Sequence, residues 1–88
     1  MDILQRFLEL MLTRRYQFTD HSLESMDEDA LRFSDVLSCL ASGRLRRSWP
    51  RERKYEVHGR SVDGRAVRVI ARLIGSGILR IITVYEVK

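Results

Sequence analysis

Arginines fall at alternate positions inside apolar runs of this 88-residue chain, most clearly in Ala66-Val67-Arg68-Val69-Ile70-Ala71-Arg72-Leu73. A strand points successive side chains to opposite faces, so Arg68 and Arg72 share a side with Ile70 while Val67, Val69, Ala71 and Leu73 line the other. A guanidinium-studded face of this kind suits phosphate better than it suits a core. Arg80, in the next apolar run, joins Arg68 and Arg72 if the strand register places it there. The two histidines, His21 and His58, are the side chains able to give or take a proton near neutral pH. His58 shares a strand face with Lys54, Glu56 and Arg60. Arg44, Arg46, Arg47, Arg51, Arg53 and Lys54, with Trp49 and Tyr55 between them, form a basic-aromatic segment of the kind that tracks a nucleic-acid backbone and stacks on bases.

Charge is placed unevenly. Met1 to Gly43 carries a net of −4 and Arg44 to Lys88 a net of +8, for +4 overall, and 14 of the 16 basic residues are Arg. Clustered arginine rewards a polyanionic partner through counterion release and bidentate phosphate binding. Each candidate also has a structural alternative. His21 can satisfy a helix end, His58 can simply face solvent, and the strand arginines can pair with Glu56, Glu86 or the carboxylates of the acidic half. The basic segment can guard an edge strand against aggregation. Tyr85 reads better as a core residue with a wet tip than as a reacting group.

The remaining chemistry is thin. One cysteine, Cys39, and two histidines 37 positions apart give no metal first shell, no cofactor is implied, and Cys39 has no basic neighbour to activate it. The lone cysteine and the charge-interrupted apolar run at the N-terminus suggest a cytoplasmic protein with no signal peptide and no membrane span.

The elements that must position these residues follow from periodicity. Ile3, Leu4, Phe7, Leu8 and Met11 predict an amphipathic helix over residues 2–14. After an extended Tyr16-Gln17-Phe18, Thr19 or Asp20 caps a second helix to about Asp27, with Leu23 and Met26 inward and Asp27-Glu28-Asp29 as a solvated end. Ser34 caps a third, with Val36, Leu37 and Leu40 as its buried stripe and Gly43 as its stop. The period then changes to two, giving strands Arg44–Trp49, Lys54–Arg60, Arg65–Ile74 and Ile78–Val87, with turns at Asp63-Gly64 and Gly75-Ser76-Gly77. The expectation is one α+β domain over residues 1–88. An N-terminal amphipathic helix (1–15) and further helices (16–43) pack on a four-stranded antiparallel meander (44–88).

The run Phe18-Thr19-Asp20-His21-Ser22-Leu23-Glu24-Ser25-Met26 resembles the T-x-H-A-x-x-x-M opening of a small bacterial family, domain-of-unknown-function family 4258. The likeness continues through Leu31, Asp35-Val36, Leu40, Gly43, the Tyr55 to Gly59 strand, Asp63-Gly64-Arg65 and Ile81-Ile82-Thr83-Val84-Tyr85-Glu86. It implies a RelE-like fold related to BrnT-like toxins, some of which are ribonucleases that act without metal. Such cleavage lets the 2′-hydroxyl attack the adjacent phosphate and needs a base, an acid and cations around the phosphorane. On that reading the substrate is RNA, free or ribosome-bound. His21, His58 and Arg68 are catalytic candidates, and Arg46, Arg53, Lys54, Arg60, Arg68, Arg72 and Arg80 bind phosphate. An antitoxin is the expected protein partner. The chain departs from the family pattern at Ser25, where many relatives carry Arg, and at Arg68, where they often carry His. If that strand histidine is catalytic in relatives, this member lacks that proton shuttle. The alternative is a non-catalytic module that docks an acidic protein or self-associates as a homodimer through its unlike halves.

Overall fold

The computed structural model describes residues 2–88. Helix α1 spans Ile3–Leu12, strand β1 Tyr16–Phe18, α2 Asp20–Glu28, α3 Phe33–Ser42 and β2 Arg44–Trp49. A short 3-10 turn at Pro50–Glu52 leads to β3 (Lys54–Arg60), β4 (Ala66–Ile74) and β5 (Ile78–Glu86). Among the described residues no helix is long and apolar enough to cross a membrane.

The helices begin where capping chemistry lets them. Asp2 accepts from the Gln5 N–H while the Gln5 side chain accepts from the Asp2 N–H, at 2.9 and 3.2 Å, closing a capping box on α1. Thr19 Oγ1 accepts from the Ser22 N–H at 3.1 Å and donates to the Ile82 carbonyl at 3.1 Å, so one hydroxyl caps α2 and ties it to β5. Helix α3 starts at Phe33 rather than at a Ser34 cap, because the Asp35 carboxylate accepts from the Arg32 N–H at 2.9 Å and anchors the first turn one residue earlier.

The sheet has five strands, not four, in the order β1-β5-β4-β3-β2. Its four long strands form the expected antiparallel meander, and β1 adds itself parallel to β5, pairing Tyr16 with Leu79 and Phe18 with Ile81. Three residues are too few to show a period of two, so the strand reveals itself only through the free edge of β5 that it covers. All helices pack on one face. There Phe7, Leu10, Met11, Val36, Cys39 and Leu40 meet Val57, Val67, Val69, Ala71, Leu79, Ile81 and Val84, all buried. Phe7 meets Tyr55 edge-on, with ring centroids 5.4 Å apart. Helix α2 turns Ser22 and Met26 inward and leaves Leu23 half in water, contrary to the expected stripe.

Two glycines let α3 lie close on the sheet. A Cβ at Gly59 would collide with the carbonyl oxygen of Cys39, and one at Gly43 with the carbonyl oxygen of His58 on β3. The Cys39 thiol lies against β3 and β4, donating to the Val67 carbonyl at 3.4 Å, and burial pushes its pKa up to about 12.

The far end of the domain is fastened by a polar latch. Arg65 donates to the Asp29 carbonyl (2.7 Å), the Ala30 carbonyl (3.1 Å), Glu86 (3.1 Å) and Asp63 (3.0 Å). Asp29, far from being a solvated helix end, accepts from the Glu86 N–H and from Lys88 Nζ, each at 2.8 Å. Asp35 reaches across from α3 to accept from the Val62 N–H at 2.9 Å. These bonds join the C-terminus of α2, the start of α3, the β3–β4 hairpin and the end of β5.

Candidate nucleic-acid interface

The face of the sheet opposite the helices is open, and cross-strand register arranges its side chains in rows. Arg44 pairs with His58, His58 with Arg68 and Arg68 with Tyr85, so four side chains from four strands form one line. The next row is Arg47, Glu56, Ile70 and Thr83. A third, at the other end of the strands, runs Trp49, Lys54, Arg72, Arg80 and Gln17. Two bulges tune these rows. One at Leu45/Arg47 keeps both Arg44 and Arg47 on the open face, and one beside Ile70/Ala71 returns Tyr85 to it. Tyr85 is therefore a half-buried open-face residue and not a core one, its hydroxyl accepting from Arg68 at 3.3 Å.

His58 sits at the centre of the first row. Its Nε2 lies 2.5 Å from Glu56 Oε2, and Glu56 is only 8% exposed although it belongs to the open face. A carboxylate in its ionised form can only accept, so an imidazole that bonds it here does so with its proton on Nε2. Among the described residues nothing bonds Nδ1, which is left as a proton acceptor. Arg44, Arg46 and Arg60 line, with His58, a hollow of about 290 Å³ at this end of the sheet. The combination is an oriented imidazole set among guanidinium groups.

The expected phosphate ligands separate into two kinds. Arg68, Arg72 and Arg80 do share the open face, and the register sets Arg72 directly opposite Arg80. Among the described residues Arg72 has only a long contact to Glu52 (3.8 Å), and Arg80 only Gln17 (3.4 Å). Lys54 lies 3.7 Å from Glu52, and Arg46 is exposed on the bulge of β2. Arg53 and Arg60 instead each give one donor to a turn carbonyl, Gly75 and Gly64 respectively, both at 3.1 Å. The alternative pairing of Arg68, Arg72 and Arg80 with Glu56, Glu86 or the acidic helices is not found among the described residues, since Glu56 is held by His58, Glu86 by Arg65, and the helices occupy the other face.

His21 lies apart from this constellation. It is exposed on α2, which packs against β5, whereas His58 is on β3 two strands away. Ser25 is on the same helix, donating to the Ser22 carbonyl at 3.1 Å. Sequence reasoning missed Glu56 as the partner of His58 and Tyr85 as the partner of Arg68. The first was legible as an i, i+2 pair on one strand face, while the second depended on a bulge that leaves no mark in composition.

Ionisation at the latch follows from its bonds. Lys88 and the Glu86 N–H hold the Asp29 carboxyl below the usual carboxylate range, and Ser61 with Arg65 does the same for Asp63. Lys88 and Arg65 are correspondingly raised, by Asp29 and by Asp63 with Glu86.

No curated protein matches the chain. Among solved structures it is similar to the Brucella abortus ribonuclease toxin BrnT, with a TM-score of 0.60 at 16% identity over 83% of this chain and 95% of that one. At that identity the likeness establishes a shared α+β fold. The family model described as "Domain of unknown function (DUF4258)" matches residues 18–86, which contain all of α2 to β5 and with it most of the latch and of the open face, and the chain belongs to that family.

Proposed function

We propose that the open face binds RNA and cleaves it at His58, as a toxin-type ribonuclease. The observation that carries this reading is the row Arg44-His58-Arg68-Tyr85 with Glu56 held on the imidazole. In the proposed step the 2′-hydroxyl oxygen bonds to the adjacent phosphorus as the bond to the 5′ oxygen breaks. His58 Nδ1 takes the 2′-hydroxyl proton, and Glu56 stabilises the imidazolium that results. The leaving 5′ oxygen takes a proton from the Tyr85 hydroxyl, which solvent restores. Arg68 and Arg44 neutralise the phosphorane between them. The products are a 2′,3′-cyclic phosphate and a 5′-hydroxyl end.

This assignment meets the family departure at Arg68. In this chain the imidazole stands on the residue paired with position 68, His58, and the guanidinium at 68, so the row holds both groups. BrnT's description as a ribonuclease toxin supports the same class of activity, and an acidic antitoxin that covers the basic face is the matching protein partner. The test is purified protein with single-stranded RNA in excess chelator, with the product ends analysed. Cleavage to cyclic phosphate ends, abolished in folded Arg68→Ala, is expected. Intact RNA, with the wild type folded and bound to it, would reject the catalytic step.

A further inference from the structure

The third row of the open face makes none of the contacts used in that mechanism. Lys54, Arg72 and Arg80 line a hollow of about 490 Å³ together with Thr19, Ile70, Ile82 and Thr83. It lies four residues along β3 and β4 from His58 and Arg68, or about 13 Å at the usual rise of a strand. Among the described residues Arg72 Nε is a buried donor with no acceptor, and Glu52 approaches Arg72 and Lys54 only to 3.8 and 3.7 Å. Three cations, one unmet donor and a weakly held carboxylate describe an anion site occupied by a poor substitute. Beside it stands Trp49, the only tryptophan of the chain, with Arg47 and Lys54 over its ring at 4.8 and 4.6 Å. Trp49 and Pro50 also line, with Ser48, Arg51 and Glu52, a hollow of about 550 Å³.

We propose that Lys54, Arg72, Arg80 and Trp49 form a second subsite, which takes a phosphate and an unpaired base of the same strand that His58 cuts. The substrate is thereby single-stranded RNA. A base in a duplex is stacked and paired, so the indole cannot reach its face, whereas a loop or free strand presents it. A base that stacks on Trp49 displaces one of the two cations from the ring and frees it for the adjacent phosphate. The phosphate in turn displaces Glu52, which acts as an internal competitor. The proposal rests on the reading of the open face as an RNA surface, but not on cleavage.

Trp49 fluorescence gives the test. The probe is a 2′-O-methyl oligonucleotide, which has no attacking hydroxyl, offered as a single strand and as a duplex, with anisotropy of the labelled strand measured in parallel. Saturable quenching by the single strand alone is expected, and it should persist in His58→Ala. Trp49→Ala should weaken anisotropy-detected binding roughly 5- to 150-fold, the usual worth of one base–aromatic stack, with Trp49→Phe between it and wild type. Arg72→Ala should weaken it about tenfold and Glu52→Gln should tighten it. Binding of the single strand without a change at Trp49, equal affinity for the duplex, or no response to Glu52→Gln would overturn the subsite while leaving the RNA surface in place. Absence of binding by either probe would reject both. Quenching without cleavage in the chelator assay would reject only the catalytic step.

Discussion

The latch and the open face are both rich in arginine, yet they treat it oppositely. Arg65 spends four hydrogen bonds on Asp29, Ala30, Glu86 and Asp63, and every carboxylate there accepts at least one hydrogen bond. On the open face Arg44, Arg47, Arg68, Arg72, Arg80 and Lys54 share two carboxylates, Glu52 and Glu56, and Glu56 is already committed to His58. A fully satisfied polar cluster fixes how elements meet and gains nothing from a ligand. A surplus of cations on a flat, exposed sheet repels itself and is relieved by an anion. The same residue type therefore specifies the fold at one end and, on the proposed reading, serves binding on the other face, and partners, not composition, distinguish the two.

His58 and Gly59 put this contrast on adjacent residues of β3. His58→Ala should lower cleavage by about 10²- to 10⁴-fold, the usual worth of a positioned acid–base group, with a smaller loss of stability from the unpaired Glu56 than Gly59→Ala causes. Gly59→Ala should do the reverse, costing about 1–3 kcal/mol as the new Cβ presses α3 away from the sheet. Thermal melts and cleavage rates of the two variants check this, and a stability loss in His58→Ala as large as that in Gly59→Ala would erase the distinction.

A smaller effect separates the faces by pH. Asp29 has a lowered carboxyl pKa in the folded protein, so its contribution is complete above about pH 4 and is lost as pH falls through the lowered folded value. Lys88 has a raised pKa, so its contribution persists through neutral pH and is lost only as pH rises through that raised value. Asp29→Asn should therefore melt a few degrees lower at pH 7, and the gap from wild type should close in acid. Its RNA affinity should be unaltered. The smallest expected change belongs to a single open-face contact. Arg44→Ala should reduce the slope of log affinity against log salt by about 0.7, read from a salt titration with single-stranded RNA, and leave the melting curve in place.

Much of this was legible in the sequence, for reasons that differ by element. The alternation around Arg68 and Arg72 declared both the strand and its two faces, because long two-sided strands carry a period of two. Thr19, Gly43 and Gly64 announced a cap, a stop and a turn through local chemistry. Strand β1 stayed hidden because its three residues owe their conformation to a partner 63 positions away. The place of Tyr85 depended on a bulge, and the roles of Asp29 and Asp35 on donors from distant loops. His58 was singled out from its strand face, but only the folded register set Arg44, Arg68 and Tyr85 beside it, and set His21 elsewhere.

Arginine Nε–Hε resonances offer the most direct test, because they observe each guanidinium by itself. Titration of the labelled protein with a single-stranded 2′-O-methyl oligonucleotide should shift Arg44, Arg68, Arg72 and Arg80 while the Arg65 signal stays fixed. Shifts centred on Arg65, Arg6 and Arg32, with the open-face arginines unmoved, would contradict the account and place any nucleic-acid contact on the latch and helices instead.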